Sequence, residues 1–210
     1  MATVTAQMVK ELREMTGAGP MDCKKALEHT EGDIKKAVDF LREKGIASAV
    51  KKLGKGRTMN EGVIEVYQHN GARMGVIVEV NCETDFVAKT DKFKLFARNI
   101  AKHIAGINPQ YVKREDVPQA VIAAEHQIQV NRAVEEGKKP EIAAKVAEGR
   151  MNKFYEEIVL MEQPFFMDES KTIEQLLQES VAELGEAIQI RRFSRFALGE
   201  GLDSTDAAAD

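Results

Sequence analysis

A strand that turns directly into a helix constrains this chain more than any other stretch. Residues 63–68 and 73–80 read as two strands around Asn70-Gly71, the pair that type I′ hairpin turns favour. Residues 74–80 are rich in β-branched side chains, which suit a pleated, half-buried surface. Beyond them, Phe93, Phe96, Ala97, Ile100 and Ile104 recur at helical spacing. The run Glu79-Val80-Asn81-Cys82-Glu83-Thr84-Asp85-Phe86-Val87-Ala88-Lys89-Thr90-Asp91 therefore begins as a strand and ends at the mouth of a helix. Thr84, Asp85 and Phe86 fall at the corner. A corner on rigid supports can hold an acid and an aromatic ring out for a partner. The competing reading is local: Asp85 caps the next helix and Phe86 is that helix's first core anchor. Spacing by itself favours the local reading.

Composition sets the frame around this corner. A chain of 210 residues holds one medium domain, or a small one and a larger one. A formal net charge of -4 argues against a strong overall attraction to nucleic acid or an anionic membrane. Cys23 and Cys82 lie far apart without metal-ligand spacing. Two lone cysteines and no secretory-type N-terminal segment lead to an expected cytoplasmic location, with an organelle stroma or matrix left open. No apolar run reaches the ~18 residues of a membrane span. Nine methionines and no tryptophan favour adaptable surfaces.

Three helices precede the hairpin. The first follows Thr5, sets Met8, Leu12 and Met15 on one face, and ends at Thr16-Gly17-Ala18-Gly19-Pro20. The second starts at Asp22 as N-cap and carries Ala26 and Leu27. The third opens with Thr30-x-x-Asp33, a variant capping box. Its apolar face is Ile34, Ala37, Val38 and Leu41, and Gly45 stops it. These helices form a module over residues 1–50, marginal in size for independent stability. Residues 51–60 form a linker, solvated and basic through Lys51, Lys52, Lys55 and Arg57, with Gly54 and Gly56.

A core over residues 61–198 follows. Asn108-Pro109 breaks the helix after the corner, Val117-Pro118 opens another that runs to about Val134, and Pro140 takes the first position of the next. Ile142, Val146 and Phe154 lie on that helix. Gln163-Pro164-Phe165-Phe166-Met167 reads as an apolar loop that either covers a core edge or forms a sticky contact, and the core cover is the favoured reading. Thr172-x-x-Gln175 is a capping box, and Ile173, Leu176, Leu177, Val181 and Leu184 form a core stripe. Residues 188–197 alternate as a strand whose place is beside the hairpin. The tail, 199–210, is small and polar and is expected to be disordered. The fold class is α+β: an N-terminal three-helix bundle, then a core with a small antiparallel sheet packed against helices.

Catalytic constellations are absent. There is no Gly-x-Ser-x-Gly elbow, no His-Glu-x-x-His pair, no dinucleotide fingerprint and no P-loop spacing around Gly54-Lys55-Gly56. His69 has no second histidine or cysteine at metal spacing, and Cys82 reads as inert strand core. The expectation is a protein with no catalytic residues, no metal and no cofactor.

Two stretches are more specific. Leu12-Arg13-Glu14-Met15-Thr16-Gly17-Ala18-Gly19-Pro20-Met21-Asp22-Cys23-Lys24-Lys25-Ala26-Leu27 resembles the N-terminal signature of the elongation factor Ts family, and Glu79-Val80-Asn81-Cys82-Glu83-Thr84-Asp85-Phe86-Val87-Ala88-Lys89 resembles its second signature. Tyr67-Gln68-His69 with Gly71-Ala72-Arg73, and Glu148-Gly149-Arg150-Met151-Asn152-Lys153-Phe154 followed by Gln163-Pro164-Phe165, extend the resemblance to all but the tail. It implies a guanine-nucleotide exchange factor for elongation factor Tu, with an N-terminal bundle of the ubiquitin-associated type. It also implies a short form, with one core module of the dimerisation type, no room for an inserted helical hairpin, and a possible homodimer. Glu83 stands where many members carry glutamine, and Pro20 where many carry a bulkier apolar residue.

By the same resemblance, Thr84, Asp85, Phe86 and Val87 are the element that dislodges the partner's Mg²⁺. Phe86 wedges into an apolar gap and Asp85 reorients polar groups near the metal. His69 supports that side, while Arg13, Met21 and Lys24 dock the module on the partner's GTPase domain. No membrane and no direct nucleic-acid contact are expected. The rival class is a binding module, a three-helix peptide- or ubiquitin-type binder on a structural domain. A third, nucleic-acid binding through the basic linker, predicts a steep salt dependence and is disfavoured by the acidic net charge.

Overall fold

The computed structural model describes residues 4–16, 18–53, 58–69 and 71–201. Linker residues 54–57, Asn70 and the tail from 202 onward, which carry parts of the expectations above, lie outside the described residues. The elements are α1 (Ala6–Thr16), α2 (Pro20–His29), α3 (Ile34–Leu53), β1 (Glu61–His69), β2 (Met74–Cys82), α4 (Asp85–Ala88), α5 (Asp91–Ile107), α6 (Gln119–Glu135), α7 (Pro140–Ile158), β3 (Pro164–Phe165), β4 (Asp168–Thr172), α8 (Ile173–Leu184) and β5 (Ile188–Ala197). The class is α+β, with a small antiparallel sheet and helices packed on it. The chain divides into two interleaved compact units.

The first unit is Met1–Gly62 with Asn81–Lys94 and Gln175–Gln189. Its N-terminal helices close on Leu12, Cys23, Ala26, Leu27 and Ala37, with Met8, Ile34, Val38 and Leu41 packed around them. Met15, expected on the same face as Leu12, is instead 62% exposed. The caps also differ from the sequence reading. Gly19 is the N-cap of α2, with Pro20 in its first turn, so Asp22 lies inside the helix and pairs with Lys44 at 2.9 Å. Thr30 is the C-cap of α2 and donates its hydroxyl to the Ala26 carbonyl at 3.0 Å; α3 starts only at Ile34, so Thr30 does not stand at its head. Glu31 and Gly32, both left-handed, reverse the chain, and the Asp33 carboxylate accepts the Lys36 N–H at 3.0 Å. Gly45 does not stop α3, which continues to Leu53. A Cβ at Gly45 would come within 3.1 Å of the Ala182 Cβ on α8, so the missing side chain serves a close helix approach.

The second unit is Val63–Val80 with Leu95–Glu174 and Ile190–Asp210. The sheet order is β1-β2-β5, which puts β5 beside the hairpin as its alternation implied. Gly71 (φ 63) and Ala72 (φ 66), between β1 and β2, are consecutive left-handed residues; the expected Asn70-Gly71 pair includes Asn70, which lies outside the described residues. Val76, Val78 and Val80 are buried, and Ile77 between them is exposed. Phe93, Phe96, Ala97, Ile100 and Ile104 of α5 are all buried, as their spacing requires. Asn108 (φ 59) ends that helix.

α6 and α7 pack along one another, joined by residues 136–139 with Gly137 at φ 83. Ala133, Ala143 and Ala147 are buried in this pair, and their small side chains permit a close approach. The chain thus contains a helical hairpin, which corrects the expectation that its length leaves no room for one. Residues 163–167 are also more than a loop. Pro164–Phe165 pairs with β4, Gln163 and Phe165 are buried, and Phe166 and Met167 are exposed rather than covering the core.

Candidate functional site: the strand-to-helix corner

The corner is a turn tied at every polar group of its first residue. Thr84 is the N-cap of α4, extended at φ -131 and ψ 154, and its hydroxyl oxygen accepts the Val87 N–H at 3.4 Å. Its own N–H and hydroxyl donate to the two oxygens of Glu186, at 3.0 and 2.6 Å. Its carbonyl accepts the Cys82 thiol at 3.1 Å and the Ala88 N–H at 3.3 Å. One residue earlier the bonding is reciprocal, because Glu83 accepts the Ala187 N–H at 2.7 Å. Burial pushes the Cys82 thiol up, with the Glu186 carboxylate adding to the effect, so Cys82 is an un-ionised donor. Asp85 is not the cap; it opens α4 and pairs with Lys89 at 2.5 Å. The Lys89 ammonium bonded to it holds its carboxyl below the usual carboxylate range.

Phe86 is 80% exposed. Its expected alternative, a first anchor in the core of the next helix, is therefore wrong, because Phe93 takes that place. Thr90 heads α5, accepting the Phe93 N–H at 3.3 Å. The chain thus makes a separate short helix solely across residues 85–88, between two threonine-capped starts. Val87 is half-buried on that helix and Ala88 is buried beneath it. The result is an aromatic ring standing in solvent on a fully bonded support.

The other residues singled out by sequence fall in two places. Arg13, Met21 and Lys24 are exposed on the three-helix module, Met21 at 64%. Arg13 lies in the last turn of α1, and Lys24 pairs with Glu28 at 3.8 Å. His69 belongs to the second unit, at the end of β1, exposed, with Nδ1 2.9 Å from the Tyr67 hydroxyl. Tyr67 in turn lies under the Arg98 guanidinium, 4.7 Å from the ring centroid, and Arg98 pairs with Glu65 at 2.5 Å.

Sequence reasoning missed Glu186, which no local pattern connects to Thr84. It also missed His103, fully buried on α5. His103 Nε2 donates to Gln163 Oε1 at 3.0 Å, and Nδ1 accepts the Phe166 N–H at 3.4 Å. Gln163 then donates to the Glu157 carbonyl at 2.8 Å. A signal for His103 existed, since it sits three residues after Ile100 inside the apolar stripe. Its bonding is saturated and its surroundings are protein, so its role is to hold the β3–β4 segment.

Among the described residues, no group of three or more His, Cys, Asp or Glu is placed to hold a metal ion. No helix among them is long and apolar enough to cross a membrane.

A family model described as elongation factor TS matches residues 2–200. Elongation factor Ts of Carboxydothermus hydrogenoformans is 57% identical over 199 residues, covering 95% of this chain and 91% of its own length. The protein of the same name from Syntrophomonas wolfei is 54% identical, covering 99% of this chain and 97% of its own. That from Geobacter sulfurreducens is 52% identical, covering 98% and 94%.

Proposed function

The chain belongs to the elongation factor Ts family and has a translation elongation role; within it, we propose that the chain is a guanine-nucleotide exchange factor that binds elongation factor Tu·GDP in the cytoplasm. It disturbs the Mg²⁺ site of that partner and promotes GDP release. The observation that carries this reading is Phe86, an aromatic ring 80% exposed on a corner whose Thr84 is bonded on all sides. A side chain held ready in this way loses little freedom on docking, so its burial goes into the complex rather than into ordering the turn.

No covalent step is needed. A nucleotide held at nanomolar affinity is bound by roughly 12 kcal/mol, much of it through phosphate charge balanced by Mg²⁺. Buried charge pairs respond steeply to distance, so a small displacement of the magnesium-side groups removes several kcal/mol. Phe86 supplies the wedge, and Asp85 offers a carboxylate that Lys89 keeps ionised. Coupling is reciprocal: whatever factor this protein takes from nucleotide affinity, nucleotide takes from its own. Excess GTP therefore expels it. In this division Arg13, Met21 and Lys24 dock the module, Thr84 to Val87 drive release, and His69, on the second unit, is a supporting contact to the partner.

The test is release of a fluorescent GDP from elongation factor Tu at low and high Mg²⁺, with and without this protein. Acceleration supports the reading. Stable binding without acceleration replaces it with the binding-module reading.

A homodimer is the second proposal, and a specific surface favours it. Glu65 reaches Arg98 of α5, and Arg195 reaches the Ala105 carbonyl of α5, so these residues mark the helix side of the sheet. Their neighbours Ile64, Val66 and Phe196, with Ile77, line the opposite side and are exposed. An apolar sheet face of this kind suits a second copy. A monomer in sedimentation at working concentration overturns this.

A further inference from the structure

Three glutamates on α8 and its exit, Glu179, Glu183 and Glu186, recur at i, i+4 and i+7, and each engages a different element of the first unit. Glu179 pairs with Arg42 of α3 at 2.5 Å. Glu183 pairs with Lys92 in the first turn of α5. Glu186 takes both donors of Thr84. Only the last of these bonds reaches the backbone of the corner. Gly185, left-handed at φ 78 with its N–H on the Val181 carbonyl at 3.0 Å, ends the helix and redirects the chain just before Glu186. That conformation is one a glycine adopts at low cost.

We infer that Glu186 is a positioning residue for nucleotide exchange, fixing Thr84 so that Phe86 is presented in one orientation. The inference rests on the exchange reading above. The two oxygens of one carboxylate hold the N–H and the hydroxyl of a single residue, which sets the Thr84 rotamer and its backbone together. α4 has only four residues, too few for helical hydrogen bonds to fix its direction. Its orientation therefore depends on the bonds at its start. The Val87 N–H to Thr84 hydroxyl bond, at 3.4 Å, is the long one, so the cap by itself is a weak constraint. Without Glu186 the corner samples several directions. Only the competent fraction acts, and the exchange rate falls by that fraction. Glu83 reinforces the same contact from the other side through the Ala187 N–H.

Fluorescent-GDP release from elongation factor Tu, titrated with full-length protein, separates the saturating rate from the half-saturating concentration. Glu186→Ala is expected to lower the saturating rate about 10-fold, with the half-saturating concentration within about twofold of wild type. Glu186→Gln keeps one acceptor oxygen and is expected to recover part of the loss. Thr84→Val removes the hydroxyl and is expected to act in the same direction, about threefold or more. Because both residues act through one contact, Glu186→Ala/Thr84→Val is expected to be no slower than the slower single variant. Thermal melts identify any variant that does not fold. If Glu186→Ala is among them, the Gln and Val variants decide the matter. A folded Glu186→Ala protein with an unchanged saturating rate overturns the inference. So does a loss confined to half-saturation, or multiplicative losses in the double variant. A wild-type protein that accelerates nothing overturns the exchange reading itself, and this inference with it, before any variant is compared.

Discussion

The corner and the three-helix module belong to the same compact unit and both present apolar side chains to solvent, Phe86 on one and Met15 and Met21 on the other. They are held in opposite ways. The corner is fixed by directional bonds to backbone groups, at Thr84 from Glu186 and Cys82 and at Ala187 from Glu83. The module stands on a small apolar core, and its ties at the surface are exposed ion pairs such as Lys44–Asp22 and Lys24–Glu28. Exposed pairs contribute little, and they are screened by salt. A region held by backbone bonds keeps one geometry; a region held by a small core and loose ion pairs can adjust to what it touches. On the exchange reading proposed above, the first suits an element that displaces something, and the second an element that supplies affinity.

The largest effect is expected where the module's core is cut. Leu27 is fully buried among Leu12, Cys23, Ala26 and Ala37. Truncation to alanine leaves a cavity worth about 2–5 kcal/mol, more than a module of this size can lose and stay folded. Leu27→Ala is expected to raise the half-saturating concentration for GDP release at least 30-fold while the saturating rate stays near wild type. Circular dichroism and the release titration check it together. A collapse of the saturating rate would show that the two regions do not act separately.

Phe86→Ala and Met21→Ala come next and should fail in opposite columns. Burying a phenylalanine contributes roughly 1.5–3 kcal/mol, and every 1.36 kcal/mol is tenfold in rate. Phe86→Ala is therefore expected to slow saturating release about 10- to 100-fold with docking little changed. Met21→Ala is expected to weaken docking about fivefold, as for an ordinary interface residue, and to leave the saturating rate alone. Equal losses in both quantities for both variants would erase the division between the regions.

What the sequence made legible follows from the range of the forces involved. The α5 stripe, the β5 strand and the start of α7 at Pro140 are set by periodicity and by one local ring, and all three were readable. Gly45 was misread because glycine signals both a helix stop and a close approach, and only the position of Ala182 decides between them. The exposure of Phe86 could not be read from spacing, since Phe86 and Phe93 are both placed to begin an apolar face. The corner's bond to Glu186 spans 102 residues of sequence, and a polar contact at that distance leaves no periodic trace. The family resemblance points to the residues of the corner; the bonds that tie Thr84 are visible only in three dimensions.

His103 offers a third case for the comparison, a node in the second unit that is bonded directionally and fully buried. Burial lowers its pKa, offset in part by the bond to Gln163. The neutral ring donates at Nε2 and accepts at Nδ1, and a second proton on Nδ1 would face the Phe166 N–H. The folded protein thus binds this proton less well than the unfolded chain, whose reference value is 6.5. The node's contribution is complete above that value and is lost as pH falls through the lower folded value. Urea unfolding between pH 8 and pH 5 should show stability falling on the acid side, with His103 adding at most about 1.4 kcal/mol per pH unit. His103→Gln should flatten that slope. An unchanged slope would mean that directional bonding at this node is not proton-sensitive, and the parallel with the corner would fail.

The smallest effect is expected at Arg42, and it is the one that tests compliance most directly. Arg42 pairs with Glu179 at 2.5 Å, an exposed guanidinium against a carboxylate on α8. An exposed pair of this kind contributes ~0.2–1 kcal/mol. Arg42→Met keeps much of the aliphatic stem and removes the charge. It should lower stability by no more than about 1 kcal/mol at low ionic strength, and by less as salt rises and the Debye length falls below about 10 Å. The saturating release rate should not move, because no backbone group of the corner depends on Arg42. A loss well above 1 kcal/mol, or one that persists in high salt, would mean that the pair is a rigid strut. The module would then be fixed on α8 as firmly as Thr84 is fixed on Glu186, and the contrast between a compliant docking region and a rigid displacing one would have to be given up.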